Sequence, residues 1–235
     1  MLAHQKRKVP PAAEQGWAHL LATNRPRSLA QCVIRFPRAS LDRLLRAIPG
    51  FPDPQRELEQ YPTPPEGALE LLERAWQAGD LAGSVADLGC GTGRLALGAA
   101  FLGAQVTGVE LDEAPLAVAR QAAADAELEV EWRCEPVENW TQQVDTVIMN
   151  PPWGAQRAGA DRPFLRAALA TAGSVWSLQP AVSDRFLRRY VEQLGGAVAG
   201  AWPVDLKLER TMPHHTRERK TVEGTLYHLH PVGAR

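Results

Sequence analysis

The sequence predicts an α/β protein: a Rossmann-like, seven-stranded, mostly parallel sheet with helices on both faces and an antiparallel hairpin at its end. Three observations carry that expectation. From Ser84 onward short apolar segments alternate with helical stretches, as parallel strands joined by crossover helices do. The first of those segments runs straight into the glycine-rich turn Asp87-Leu88-Gly89-Cys90-Gly91-Thr92-Gly93. The last two apolar segments follow one another with no helical pattern between them, so they pair antiparallel.

Taken in order, residues 1–40 hold Pro10, Pro11, Pro26 and Pro37 among scattered arginines and read as a peripheral or partly disordered extension. A single domain is expected over 41–235. Leu41, Leu44, Leu45 and Ile48 share one face of a helix that Pro49 and Gly50 stop. Pro62, Pro64 and Pro65 make an extended connector, and Pro65 suits the first turn of a helix running to about Gly79. Strands are expected near 84–88, 105–110, 128–133, 144–149, 174–178, 197–206 and 223–230. Helices fill 93–102, 113–125, 163–171 and 181–194.

Bulk properties narrow the class. With 26 basic and 27 acidic residues the net charge is −1, so any nucleic-acid-facing surface must be a local one. Cys32, Cys90 and Cys134 lie far apart without a C-x-x-C pair, which argues against a zinc site and a disulfide framework and fits a reduced, cytoplasmic compartment. The start, MLAHQKRKVPP, has no apolar run behind its basic residues, and no stretch is long and apolar enough to span a membrane.

Gly89, Gly91 and Gly93 permit a tight strand-to-helix turn on whose bare backbone a ligand can lie. The dinucleotide fingerprint G-x-G-x-x-G asks for glycine where this chain has Arg94, which disfavours a nicotinamide or flavin site. Glu110 closes the second strand, seventeen residues after Gly93, where an acid can hold two ribose hydroxyls. Asp112 either joins it or caps the following helix. Asp87 is placed to orient the loop or to meet a ligand's amino group, with a buried structural hydrogen bond as the alternative. Glu135 beside Pro136, after the third strand, suits the amino group and ring of an adenine; a solvated loop acid is the other reading.

The fourth strand delivers Asn150-Pro151-Pro152-Trp153 to the same edge of the sheet. The Asn150 side-chain oxygen and the Pro151 carbonyl can both accept from a planar NH2 group. That draws its nitrogen toward a tetrahedral shape, frees its lone pair and steadies the charge that grows as it attacks a sulfonium methyl. The prolines stiffen the loop. Trp153 offers a face for an unpaired base, although a core tryptophan would look the same in sequence. S-adenosylmethionine is the cofactor this constellation implies, and two adjacent histidines, His214 and His215, do not make a metal site.

These residues resemble the N6-adenine ribosomal RNA methyltransferases of the methyltransferase-like group, class I enzymes that modify small-subunit rRNA. The likeness rests on LEQYPTPPE, DLGCGTG, DTVIMNPPWG and VWSLQ with a basic stretch before the last strand, and covers roughly Leu41 to Leu229. It implies cofactor contacts from Gln60 and Thr63 on a segment closing over the pocket. Gly89 and Thr92 would touch the methionine moiety, with Gly91 in the same loop, Glu110 the ribose, and Glu135 with Pro136 the adenine. Asn150, Pro151, Pro152 and Trp153 would form the catalytic loop. Family members commonly carry Phe at the Trp153 position and often Asp at the Glu110 position. Arg217, Arg219 and Lys220 fall where the family has a basic cluster thought to face RNA, a solvated hairpin loop being the alternative. The resemblance also implies a small zinc-ribbon activator protein as a possible partner. Methylation of guanine N2, of DNA adenine or of a protein glutamine shares the Asn-Pro-Pro-aromatic motif and stays open, as does a catalytically silent RNA-binding or assembly factor.

Overall fold

The computed structural model of the protein describes residues 35–209 and 219–232. The chain divides into Met1–Phe36 and Pro37–Arg235, and the helices and strands of the described residues belong to the second unit. They run α1 (Arg38–Ala47), α2 (Pro65–Ala78), β1 (Ser84–Leu88), α3 (Arg94–Phe101), β2 (Gln105–Glu110), α4 (Glu113–Asp125), β3 (Val130–Cys134), β4 (Val144–Met149), α5 (Arg162–Thr171), β5 (Ala172–Pro180), α6 (Asp184–Gln193), β6 (Gly196–Glu209) and β7 (Arg219–Pro231).

The seven strands form one sheet in the order β3-β2-β1-β4-β5-β7-β6. β1 pairs in parallel with both β2 and β4, while β7 runs antiparallel to β5 and β6. The strand order therefore reverses direction at β1 and β4, and the crevice beyond their carboxyl ends is where an open α/β sheet receives ligands. The inner strands are buried along nearly their whole length, since helices cover both faces. Leu41 and Leu45 of α1 and Leu71 and Leu72 of α2 are fully buried, as their helical spacing requires. Gly79 ends α2 in the left-handed conformation, with its N–H on the Trp76 carbonyl.

At the opposite, amino-terminal end of β5 a polar knot ties α2 to the sheet. The Asp80 carboxylate accepts from Ser174 Oγ at 2.8 Å and Trp176 Nε1 at 2.7 Å, and lies 3.3 Å from His228 Nε2. Burial opposes its ionisation, but the hydrogen bonds from His228, Trp176 and Ser174 outweigh it and hold the group down at about 2. Trp176 stacks on His228 with ring centroids 4.0 Å apart.

Several boundaries differ from the sequence expectation. β3 begins at Val130 rather than 128, because the Leu128 N–H still bonds the Ala123 carbonyl and Glu127 takes a positive φ to end α4. The segment after β5 makes a 3-10 turn, Ala181–Ser183, before α6 proper. The terminal hairpin strands are longer than 197–206 and 223–230, since the ladder continues out to Glu209 opposite Arg219. Arg217, expected to face RNA, lies outside the described residues, as do the side chains of Arg219 and Lys220, whose backbones belong to β7.

Candidate active site

The turn between β1 and α3 is built as its glycines demand. Gly89, Gly91 and Gly93 all have positive φ, at 74°, 53° and 84°. A Cβ on Gly89 would come within 2.8 Å of the Phe164 ring, one on Gly91 within 2.7 Å of Phe51, and one on Gly93 within 2.8 Å of Trp132. Any side chain there would be strained by the backbone and would meet an aromatic ring. The Gly89 and Cys90 amides bond the Val109 carbonyl at 2.8 and 3.0 Å, so the loop is moored to the end of β2.

Asp87 is buried under this loop. One carboxylate oxygen accepts from the Ala96 N–H at 2.8 Å, satisfying a free amide in the first turn of α3, and the other has no partner among the described residues. Burial is the main cause that pushes its pKa up to about 8. The Ala96 hydrogen bond opposes that rise, and repulsion from Glu110 adds to it. Glu110 bends back over the loop: Oε2 accepts from Gly91 N at 2.9 Å, and Oε1 from Leu111 N at 2.9 Å and Asp112 N at 3.2 Å. Burial raises its pKa, while those three amides pull the other way.

Asp112 does cap α4, with Oδ1 accepting from Ala114 N at 3.0 Å. Its second oxygen has a longer-range task, since it accepts from the amides of Gln60 and Gln55, each at 3.0 Å. Gln60 is itself buried, and its side-chain oxygen receives the Gln55 N–H at 2.8 Å. The strap of residues 55–63 is thereby fastened above the end of β2.

The same strap reaches the loop after β4. Thr63 Oγ1 accepts from Asn150 Nδ2 at 3.0 Å. Glu59, held at a φ of 52°, accepts from the backbone N–H groups of Trp153 and Gln156, each at 2.8 Å. Arg94, buried at the start of α3, donates to the Thr63 carbonyl at 2.6 Å and the Ile48 carbonyl at 2.7 Å, and so fixes the strap from below. Asn150 Oδ1 accepts from Trp153 Nε1 at 3.1 Å. In this state the indole N–H occupies the oxygen expected to receive a target amine.

A cavity of about 270 Å³ lies between these parts, lined among others by Phe51, Gln60, Gly89, Glu110, Glu135, Pro136, Asn150, Pro152 and Phe164. The structure thus gathers seven of the sequence-predicted positions, Gln60, Gly89, Glu110, Glu135, Pro136, Asn150 and Pro152, around one space. Thr63, Asp87, Gly91, Thr92, Pro151 and Trp153 stand behind that lining. Thr92 is buried, turns its hydroxyl to the Pro49 carbonyl at 2.8 Å and does not line the cavity. Glu59 and Arg94, within or next to sequence motifs that give them no role, and Phe51, Phe164 and Gln55, which no local motif marks, also join the site. Their partners lie far off in sequence, and only the length and proline content of the strap hint that it folds over something.

The buried oxygen of Asp87 with no partner beneath the loop, the side-chain-free glycine cradle and the acid at the end of β2 fit an adenosyl-methionine ligand, as an acceptor for a cationic group, a close backbone approach and a ribose acceptor. Fold and site together define a class I methyltransferase, whose methyl donor is S-adenosylmethionine. The family described as methyltransferase small domain matches residues 66–179. The rRNA N6-adenosine-methyltransferase Mettl5 of Drosophila melanogaster is 32% identical over 200 residues, covering 80% of this chain and 94% of the fly protein. Its Danio rerio counterpart is 38% identical over 151 residues, 59% of this chain and 72% of the fish protein. Among solved structures, a candidate RNA methyltransferase from Pyrococcus horikoshii superposes with a TM-score of 0.78 at 33% identity, covering 84% of this chain and 99% of that one. The chain belongs to the METTL5 family of rRNA N6-adenosine-methyltransferases.

Proposed function

We propose that the protein transfers a methyl group from S-adenosylmethionine to the exocyclic N6 of an adenosine in small-subunit ribosomal RNA. The observation that carries this reading is the loop Asn150-Pro151-Pro152-Trp153 held at the rim of the glycine-loop cavity by strap and sheet together.

The cofactor supplies an electrophilic methyl on a sulfonium, and the chain supplies aim. Asp87 would meet the ammonium, the Gly89–Gly91 backbone would lie against the methionine part, Glu110 would take the ribose hydroxyls, and Glu135 with Pro136 would hold the adenine. Gln60 closes the strap over it. Asn150 Oδ1 and the Pro151 carbonyl accept the two N–H groups of the target amine, which takes over from the Trp153 indole as the partner of Oδ1. Acceptors on both N–H groups turn the nitrogen lone pair out of the ring plane toward the methyl group. The released indole face is then free to stack on the base. Before a substrate arrives, the donor-only Trp153 indole on Oδ1 fixes which way round the Asn150 amide lies, and the Thr63 hydroxyl then accepts from Nδ2 on the other side. Glu59 and Arg94 hold the loop and the strap in register.

The catalytic unit in this reading is 41–235, with 1–40 as an extension, in a cytoplasmic protein. No helix among the described residues is long and apolar enough to cross a membrane. A zinc-ribbon activator as partner is part of this reading; in its support, the edge strand β3 pairs among the described residues only with β2, and an open strand edge can take a further strand. Arg219 and Lys220, with Arg217, remain the proposed RNA contacts of the terminal hairpin.

The test is transfer of labelled methyl to protein-free small-subunit rRNA, with DNA of the same sequence and a protein substrate offered in parallel. Label entering RNA alone supports the reading. Label entering DNA or protein faster than RNA overturns it.

A further inference from the structure

Helix α5 starts at the cavity and, with α6 joined to it through Arg162 and Phe186, presents an outer surface that the site itself does not use. Pro163 and Phe164, in the first turn of α5, line the cavity, and their neighbour Arg162 points outward over the Phe186 ring of α6, 5.0 Å from its centroid. Phe186 stacks on Tyr190 at 5.6 Å and is still 41% exposed, an uncommon position for a large aromatic on a helix that has an apolar face to bury. Next to it Val182 is 96% exposed. One turn further along, Arg166 donates to the Tyr190 hydroxyl at 3.3 Å.

Around α6 the side chains sort by task. Leu187 and Val191 face the core, Asp184 and Arg188 pair at 2.9 Å on the side toward Tyr227, and Arg185 and Arg189 project outward one turn apart beside Phe186. Neither Arg185 nor Arg189 has a hydrogen-bond or ion-pair partner among the described residues. From 157 to 193 the chain carries six arginines, no lysine and three acids, in a protein whose net charge is −1. Positive charge is thus concentrated on the wall flanking the cavity. All of it is arginine, the side chain that both stacks on bases and forks onto phosphate.

We propose that this α5–α6 face is the track on which the RNA strand flanking the target nucleotide lies, with Phe186 as a stacking platform for a neighbouring base and Arg162, Arg185 and Arg189 on its phosphates. The inference rests on RNA being the substrate and adds where that RNA runs. A single-stranded segment fits best, because exposed aromatics paired with arginines bind splayed bases, and an adenine amine reaches the cavity only when unpaired. A protein partner, the other occupant such a face could take, would not need two unpaired arginines beside the mouth of the reaction cavity.

The experiment uses the full chain and a single-stranded rRNA fragment that the wild type methylates. RNA affinity and KM are measured across a salt series for wild type, Arg185→Glu/Arg189→Glu, the milder Arg185→Gln/Arg189→Gln, and Phe186→Ala, with S-adenosylmethionine affinity as the control for folding. Removing two phosphate contacts should weaken RNA binding about tenfold or more at low salt and flatten the salt dependence by about 0.7 per contact, while cofactor affinity stays within about twofold. Phe186→Ala should weaken RNA binding at every salt concentration without changing the slope. Unchanged RNA affinity and slope in all variants, beside a wild type that methylates RNA, overturns the inference and leaves the face to a protein partner. A wild type that neither binds nor methylates RNA overturns the substrate reading beneath it, a separate and distinguishable result.

Discussion

Glu59 is the position at which the strap can be cut loose from the catalytic loop with little damage to the core. Its carboxylate accepts two backbone N–H groups, from Trp153 and Gln156, each at 2.8 Å. Hydrogen bonds to a charged group contribute about 1.5–3 kcal/mol apiece in the interior. Here Gln156 is exposed and Glu59 only half-buried, so water replaces part of what is lost and about 1–2 kcal/mol in total is a fair expectation. If that energy holds the loop in its reactive position, Glu59→Ala lowers kcat about 5- to 30-fold. S-adenosylmethionine affinity should hold within about twofold. Backbone strain gives the test a second axis. Glu59 sits at a φ of 52°, a conformation that costs a non-glycine residue about 1 kcal/mol. Glu59→Gly relieves the strain while removing the carboxylate, so its thermal midpoint should match or exceed that of Glu59→Ala while its kcat falls equally. Steady-state methyl transfer to RNA, with calorimetry for the cofactor and a thermal melt, reads all three quantities. A Glu59→Gly protein with wild-type kcat would refute the idea that this carboxylate positions the loop.

Asn150→Ala should reduce transfer by about 10²–10³-fold with cofactor affinity nearly intact, because its oxygen works hardest as charge develops on the target nitrogen; activity within a few-fold of wild type in single-turnover assays would reject that role. Trp153→Phe removes the indole N–H that occupies Asn150 Oδ1. It should keep activity and leave the RNA KM equal or lower, whereas Trp153→Ala should raise that KM through lost stacking of about 1–3 kcal/mol; a Phe variant as impaired as the Ala variant would contradict this. Asp87 gives a pH signature. Its folded-state pKa is raised to about 8, above the usual value of about 3.9 in an unfolded chain. The folded protein therefore holds a proton that the unfolded chain has released, and the stability of the cofactor-free protein should fall as pH rises from about 4 toward 8. If Asp87 receives the cofactor's ammonium as proposed, that cation expels the proton. Cofactor affinity should accordingly rise between pH 6 and 8, with proton release seen when calorimetry is repeated in buffers of different ionisation enthalpy. Asp87→Asn should abolish both effects, and a flat profile in the wild type would remove Asp87 from the cofactor site.

The sheet is legible in the sequence because its inner parallel strands are buried on both faces and read as short, mostly apolar segments, as Val85 to Leu88 around Asp87 and Val147 to Met149 do, whereas the edge strand β3 is only partly buried and carries Glu131 and Arg133. The crevice is legible through features that are local by nature: three glycines in a turn, an acid at a strand end, two prolines after an asparagine. What stays concealed is non-local. Glu59 and Trp153 are 94 residues apart, Gln60 and Asp112 are 52 apart, and nothing in either partner's neighbourhood announces the other. Thr92 shows the converse hazard, since a residue in the right loop turns out to face the Pro49 carbonyl instead of the cavity. The α5–α6 surface is hidden for a third reason. Its arginines are dispersed over two helices with a strand between them, so they form no run in the sequence and meet only when Arg162 folds over Phe186.

Delivery of an adenosine N6 to the methyl group by the rigid loop at Asn150 is tested most directly on the product itself. Small-subunit rRNA is incubated with the protein and labelled S-adenosylmethionine, digested, and its nucleosides resolved by mass spectrometry. The label should reside in N6-methyladenosine and vanish with Asn150→Ala. Label recovered in N2-methylguanosine, or N6-methyladenosine that persists at full yield in the Asn150→Ala protein, would contradict that role for the loop.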